Sequence, residues 1–157
     1  MSLAKKYPKE VKQILSKYPA EHKRAAVMPL LYLAQREEGY LTKAAMQDVA
    51  KIVDITETEV AELVGFYTLY HDEKGGKYRM QVCTDLPCAL RGSDAFMDNQ
   101  CANLGIKVGE TTPDGRFSLS EVECLGSCGT APMFQINFDY HENLTPEKID
   151  QILDKLP

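Results

Sequence analysis

The chain of 157 residues is 44% hydrophobic and 26% charged, a globular mixture large enough for one ordinary domain or two small ones. Its formal charge of −5 is unevenly spread: residues 1–75 hold 11 basic and 11 acidic side chains, residues 76–157 hold 7 and 12. An acidic second half does not suit a phosphate backbone, which argues against nucleic acid as its partner.

The opening "MSLAKKYPKE" leads into a charged amphipathic segment and has neither the apolar core nor the cleavage site of a signal peptide. Pro8 starts a helix with Val11, Ile14 and Leu15 on one face. Val27, Leu30, Leu31 and Ala34 stripe the next helix, which ends at Gly39; Pro29 within it implies either a kink or a late start. That run, "AAVMPLLYLA", is about half the ~20 residues a bilayer span needs, so no membrane insertion is expected.

Thr42 caps a third helix carrying Met46, Val49, Ala50 and Val53. Thr56 and Glu59 form a capping box for a fourth, carrying Val60, Leu63, Val64 and Tyr67. These two helices have the outline of a helix-turn-helix. Glu57, Glu59 and Glu62 on the second, with no Lys or Arg, give the wrong sign for a DNA groove. Phe66, Tyr67 and Tyr70 read as packing residues, with a subunit contact as the alternative.

The charged "HDEKGGK" then interrupts the helical pattern, and residues 1–74 read as a helical bundle separate from 75–157. Beyond it the period becomes two. Tyr78, Met80 and Val82 mark a strand running into Cys83, and Gly92-Ser93 opens a helix over about 93–104. "TPDG" is a turn placing "FSLSEVE" on a second strand that runs into Cys124. "MFQINF" makes a third strand, and "LTPEKIDQILDKL" a closing helix with Thr145 as N-cap, Pro146 at N1 and Ile149, Ile152 and Leu153 buried. The order strand, helix, strand, strand, helix is that of a thioredoxin-like α/β sandwich. In such folds a cis proline often precedes a strand like the third, which singles out Ala131-Pro132.

Four of the five cysteines come in close pairs, Cys83 with Cys88 and Cys124 with Cys128. Both pairs lie just past the carboxyl end of a predicted strand, where α/β sheets assemble their sites. In a reducing compartment such pairs are metal or redox sites more often than structural disulfides. Four thiolates suit a tetrahedral zinc or an iron–sulfur cluster. The C-x4-C and C-x3-C spacings are longer than the common zinc knuckle and favour the reach of two irons. A redox dithiol is the remaining reading, against which neither pair has C-x2-C spacing.

Gly126, Ser127, Gly129 and Thr130 make a loop able to turn N–H groups and hydroxyls toward sulfur. His22, His71 and His141 lie far from both pairs, so a Rieske-type site has no ligands. All-thiolate ligation in an acidic domain points to a potential on the order of the −400 mV of plant-type ferredoxins. Cys101 shares a helix face with Met97 and Leu104 and reads as a core thiol.

"YRMQVCTDLPCALRGSD", "LGIKVGETTPDGRFSLSEVECLGSCGTAPMFQIN" and "YHENLTPEKI" resemble the thioredoxin-like 2Fe-2S (24 kDa) subunit of NADH:quinone oxidoreductase, respiratory complex I. "AAVMPLLYLAQREEGYL" and "VGFYTLY" extend the resemblance across nearly the whole chain. It implies an N-terminal helical bundle followed by a thioredoxin-like 2Fe-2S ferredoxin domain, with Cys83, Cys88, Cys124 and Cys128 as cluster ligands and Cys101 outside the set. It also implies docking on a flavoprotein subunit that binds FMN and NADH, alongside further iron–sulfur subunits, in the cytoplasm and at the inner membrane only through partners. The chain has no G-x-G-x-x-G after a strand, so NADH and FMN are expected on the partner alone. Relatives in NAD-dependent formate dehydrogenases and hydrogenase diaphorase modules share the signature and stand as the alternative.

Overall fold

A computed structural model describes residues 2–156. The chain divides into two compact units, one up to Lys74 and one from Gly75 onward.

The first unit is helical: α1 (Leu3–Lys6), α2 (Pro8–Leu15), a 3-10 stretch (Ala20–Ala26), α3 (Val27–Glu38), α4 (Lys43–Val53) and α5 (Glu57–Phe66). Its core is built on Leu30, Leu31, Leu41, Val49 and Val60, all fully buried. α3 starts late, at Val27, which leaves Pro29 in the first turn, where an N–H would have had no partner in the helix. Gly39, at φ +74°, ends it in the left-handed conformation that a glycine adopts without strain. Thr42 accepts from Ala45 N–H at 3.2 Å, and the Thr56–Glu59 capping box is complete in both directions.

The sequence reading missed α1, a helix too short to show a period, whose Leu3 is buried in this core. The three aromatics do touch in series, Phe66 on Tyr67 at 5.0 Å and Tyr67 on Tyr70 at 6.4 Å between ring centres, but they run from solvent into the core. Tyr70 is buried and donates from its hydroxyl to Met28 O at 3.0 Å, whereas Phe66 is 76% exposed. Gln35 explains the difference, because its side chain grips Leu69 O and His71 N–H and draws only the end of that segment inward. Among the described residues no helix is long and apolar enough to cross a membrane.

The second unit is a four-stranded sheet with helices: β1 (Tyr78–Cys83), α6 (Leu86–Ala89), α7 (Ser93–Leu104), β2 (Phe117–Val122), a 3-10 turn (Cys128–Thr130), β3 (Phe134–Ile136), β4 (Asp139–His141) and α8 (Pro146–Lys155). The strand order is β2-β1-β3-β4, with β1 and β2 parallel and the other pairs antiparallel. A parallel pair needs a crossover, and the α7 segment is that crossover. Met80, Val82, Leu119, Phe134 and Ile136 fill the core beneath it, with Phe96, Met97 and Ile149 from the helices.

Two features depart from the sequence reading. "MFQINF" is not one strand: β3 stops at Ile136, and Asn137-Phe138 turns the chain back into β4, which the reading missed. Asn137 sits at φ +55°, and its Oδ1 accepts from Arg79 N–H at 2.9 Å, so a residue tolerant of the left-handed region makes the turn and also bonds β1. β2 also stops at Val122, so Glu123 stands between the strand and Cys124.

The entry to β1 is tight. A Cβ added at Gly76 would lie 2.5 Å from the carbonyl carbon of Phe117 and 2.7 Å from Ser118 N, both backbone atoms that cannot swing away. Gly76→Ala is therefore expected to destabilise the unit by about 1–3 kcal/mol, read as a lower urea midpoint. An unchanged midpoint would show that β2 yields freely there.

Candidate iron–sulfur site

The parallel register sets Cys83 at the end of β1 beside Val122 at the end of β2. Thr84 N–H continues the ladder to Val122 O at 3.2 Å, so both strands release their loops at one edge. The Cys83 thiol then reaches Glu123 O at 3.7 Å, touching the residue next to Cys124.

Cys88 is delivered by α6, a single turn too short to show a helical period in the sequence. Asp85 O accepts from the N–H groups of Cys88 and Ala89 at 2.8 and 2.9 Å, winding the chain so that Cys88 faces inward. Cys83 and Cys88 are both buried in a small apolar nest with Ala131 and Met133, against which Leu125 of the second loop packs. Burial, and then the Cys83 sulfur beside it with Cys128 and Asp85 nearby, push the Cys88 thiol up to about 11. A disulfide-exchange nucleophile needs a lowered pKa, so this is the wrong direction for the redox-dithiol alternative.

The second pair lies nearer solvent, with Cys128 partly buried and Cys124 exposed. Gly126 takes φ +73° and sends its N–H to Cys124 Sγ at 3.3 Å, as the sequence reading expected of this loop. The loop hydroxyls depart from that reading: Ser127 and Thr130 turn away from sulfur and meet the Glu142 carboxylate. On the other side Arg91 Nε donates to Ala131 O at 3.1 Å, and the Ala131-Pro132 bond is cis.

The Cys83 sulfur thus lies beside Cys88, Cys128 is nearby and partly buried, Cys124 stands at the outer edge, and Cys101 packs against the core of the sheet on α7. Among the described residues no three His, Cys, Asp or Glu side chains gather about a single point as one metal ion requires. A two-iron cluster asks for less convergence, because each iron takes two thiolates and bridging sulfides separate the pairs. Two buried and two outer thiols, with an N–H already on an outer sulfur, fit that group better than a closed zinc site.

Glu142, Tyr140 and Arg91 also belong to this neighbourhood, and sequence reasoning missed them. For the first two the available signal was the Asn-Phe turn inside "MFQINFDYH", which brings the hairpin back toward the loop.

The sequence model described as thioredoxin-like [2Fe-2S] ferredoxin matches residues 11–157. The chain is 47% identical to an NADH-quinone oxidoreductase subunit of Rickettsia bellii, covering 99% of this chain and 93% of that protein. It is 43% identical to the corresponding NADH-quinone oxidoreductase subunit of Rhizobium meliloti over 92% of this chain and 85% of the relative. It is 45% identical to the mitochondrial NADH dehydrogenase [ubiquinone] flavoprotein 2 of Dictyostelium discoideum, over 94% of this chain and 60% of that one. Among solved structures, an NAD+-reducing [NiFe]-hydrogenase in the air-oxidized state aligns with TM-score 0.68 at 22% identity, over 80% of this chain and 22% of the hydrogenase chain. That likeness bears on the fold alone.

Proposed function

The chain belongs to the thioredoxin-like [2Fe-2S] ferredoxin family, and on that premise we propose that it is the one-electron subunit of an NADH-quinone oxidoreductase, holding one 2Fe-2S cluster on Cys83, Cys88, Cys124 and Cys128. The observation that carries this reading is the parallel pairing of β1 with β2, which delivers both cysteine loops to one edge and ties Cys83 to Glu123.

When bound, the cluster supplies storage for a single electron. The chain's own residues shield and orient it. Ala131, Met133 and Leu125 keep water from the inner thiols, Gly126 N–H bonds an outer sulfur, and the buried Cys88 must give up its proton as iron binds. NADH and FMN belong to a flavoprotein partner, other iron–sulfur subunits complete the assembly, and the whole works at the cytoplasmic face of the inner membrane through those partners. The equivalent subunit of a formate dehydrogenase or hydrogenase module is the alternative. The relatives at 43% and 47% identity favour the quinone enzyme.

The test is purification of the tagged chain from its own cells. Expected are a co-purifying flavoprotein with FMN, equal iron and acid-labile sulfide, and an EPR signal that appears only on strong reduction, near the −400 mV order of plant-type ferredoxins. Colourless protein carrying zinc would overturn the cluster, and a hydrogenase or formate dehydrogenase partner would select the alternative.

A further inference from the structure

The loop from Cys124 to Thr130 has few ties of its own: Thr130 N–H and Oγ1 meet Ser127 O at 3.1 and 3.0 Å, and Thr130 Oγ1 lies 2.6 Å from Ser127 Oγ. Gly126 and Gly129 carry a large conformational entropy, and a lone 3-10 turn is its regular structure. The rest of its anchoring comes from outside, from the residues that follow β3.

Tyr140 Oη donates to Leu125 O at 2.7 Å. Asn143 N–H donates to Thr130 O at 2.7 Å, and Leu144 N–H to Pro132 O at 3.0 Å. Between these backbone ties stands Glu142. The Ser127 hydroxyl donates to its Oε1, and Thr130 Oγ1 donates to the same oxygen at 2.6 Å. Ser127 and Thr130 flank Cys128 and its glycine, so one oxygen atom grips the loop on both sides of a proposed ligand. The two hydroxyls also hold the carboxyl below its ordinary range, which keeps the acceptor ionised.

We propose that Glu142 and Tyr140 are positioning residues for the cluster: the returning hairpin clamps the Cys124–Cys128 loop in its receiving shape, and Glu142 does so through Oε1 alone. The proposal rests on the ligand assignment of the preceding section.

The single shared oxygen makes a sharp test. Glu142→Gln keeps an Oε1 acceptor and loses only the charge, whereas Glu142→Ala loses both. In the full-length reconstituted protein, Glu142→Ala should release its cluster to a chelator roughly fivefold faster than wild type, with Glu142→Gln within about twofold of wild type and Tyr140→Phe between them. The midpoint potential should rise in both Glu142 variants, because both remove a negative charge beside the site, while altered EPR anisotropy should appear only with alanine. Asp150→Ala, a charge loss elsewhere in the same unit, should change neither.

Amide exchange over residues 125–130 in the iron-free chain reads the clamp independently of iron. It should quicken in Glu142→Ala and stay near wild type in Glu142→Gln. Equal cluster loss and equal exchange in the two variants would overturn the clamp. Wild-type protein that takes up no iron, but whose loop still loosens in Glu142→Ala, would sink the ligand assignment and leave the clamp standing.

Discussion

Serine at Cys83, Cys88, Cys124 or Cys128, one position at a time, is expected to abolish or distort the cluster's visible absorbance and its EPR signal, whereas Cys101→Ser leaves both intact. Iron is held by thiolate, and a serine hydroxyl neither ionises as readily nor matches the softness of sulfur. The four variants should differ in their cost to the fold. Cys88 lies in the apolar nest with Met133, where a poorly paired hydroxyl costs about 1–3 kcal/mol, whereas a hydroxyl at Cys83 has Glu123 O as an acceptor and should cost less. Cys124 is exposed, so Cys124→Ser should lose the cluster from an iron-free fold as stable as the parent. That variant separates cluster loss from unfolding. Loss of the cluster in Cys101→Ser, with the other four tolerant, would show that the ligands are misassigned.

Phe134→Ala is expected to cost about 3–5 kcal/mol, the usual range for a fully buried aromatic truncated to alanine. Phe134 is completely buried in β3, with its ring 6.0 Å from Phe96 and 5.3 Å from His141, and its backbone is paired to Val82 and His141. Its removal therefore leaves a cavity where α7, β1, β3 and β4 meet. Against the ~5–15 kcal/mol that holds a typical domain together, this is a large fraction. Because Met133 of the cysteine nest is its neighbour in the chain, cluster occupancy should fall with stability. Urea unfolding of the iron-free chain measures the first effect and iron content the second. A loss of less than about 1 kcal/mol would mean that the site collapses around the cavity and that Phe134 is not central.

Most of the helices were legible because their signals are local. A threonine three residues before a glutamate closes a capping box within one turn, and a glycine with positive φ ends a helix with no help from elsewhere. Tyr78, Met80 and Val82 marked β1 by alternation in the same way. The elements that escaped were the short ones. α1 and α6 are one turn each and β4 has three residues, too few for a period to emerge, while β3 is legible in "MFQINF" but shorter than that run. Missing β4 also meant missing Glu142, whose meaning lies in what the hairpin brings it against.

By itself, then, the order of residues determined the donor chemistry and its spacing: four cysteines in two pairs, each pair just past a strand end, the second pair set among glycines. It equally determined which residues start and stop the helices that flank them. Only the tertiary structure decided that the two cysteine loops leave one edge of the sheet. Cys83 and Glu123 touch across 40 residues because β1 and β2 pair in parallel, and that pairing rests on a crossover helix and a shared core that no local pattern specifies. The same holds for the grip of Glu142 on the Cys128 loop, since a carboxylate's partners are set by which backbone folds back against it.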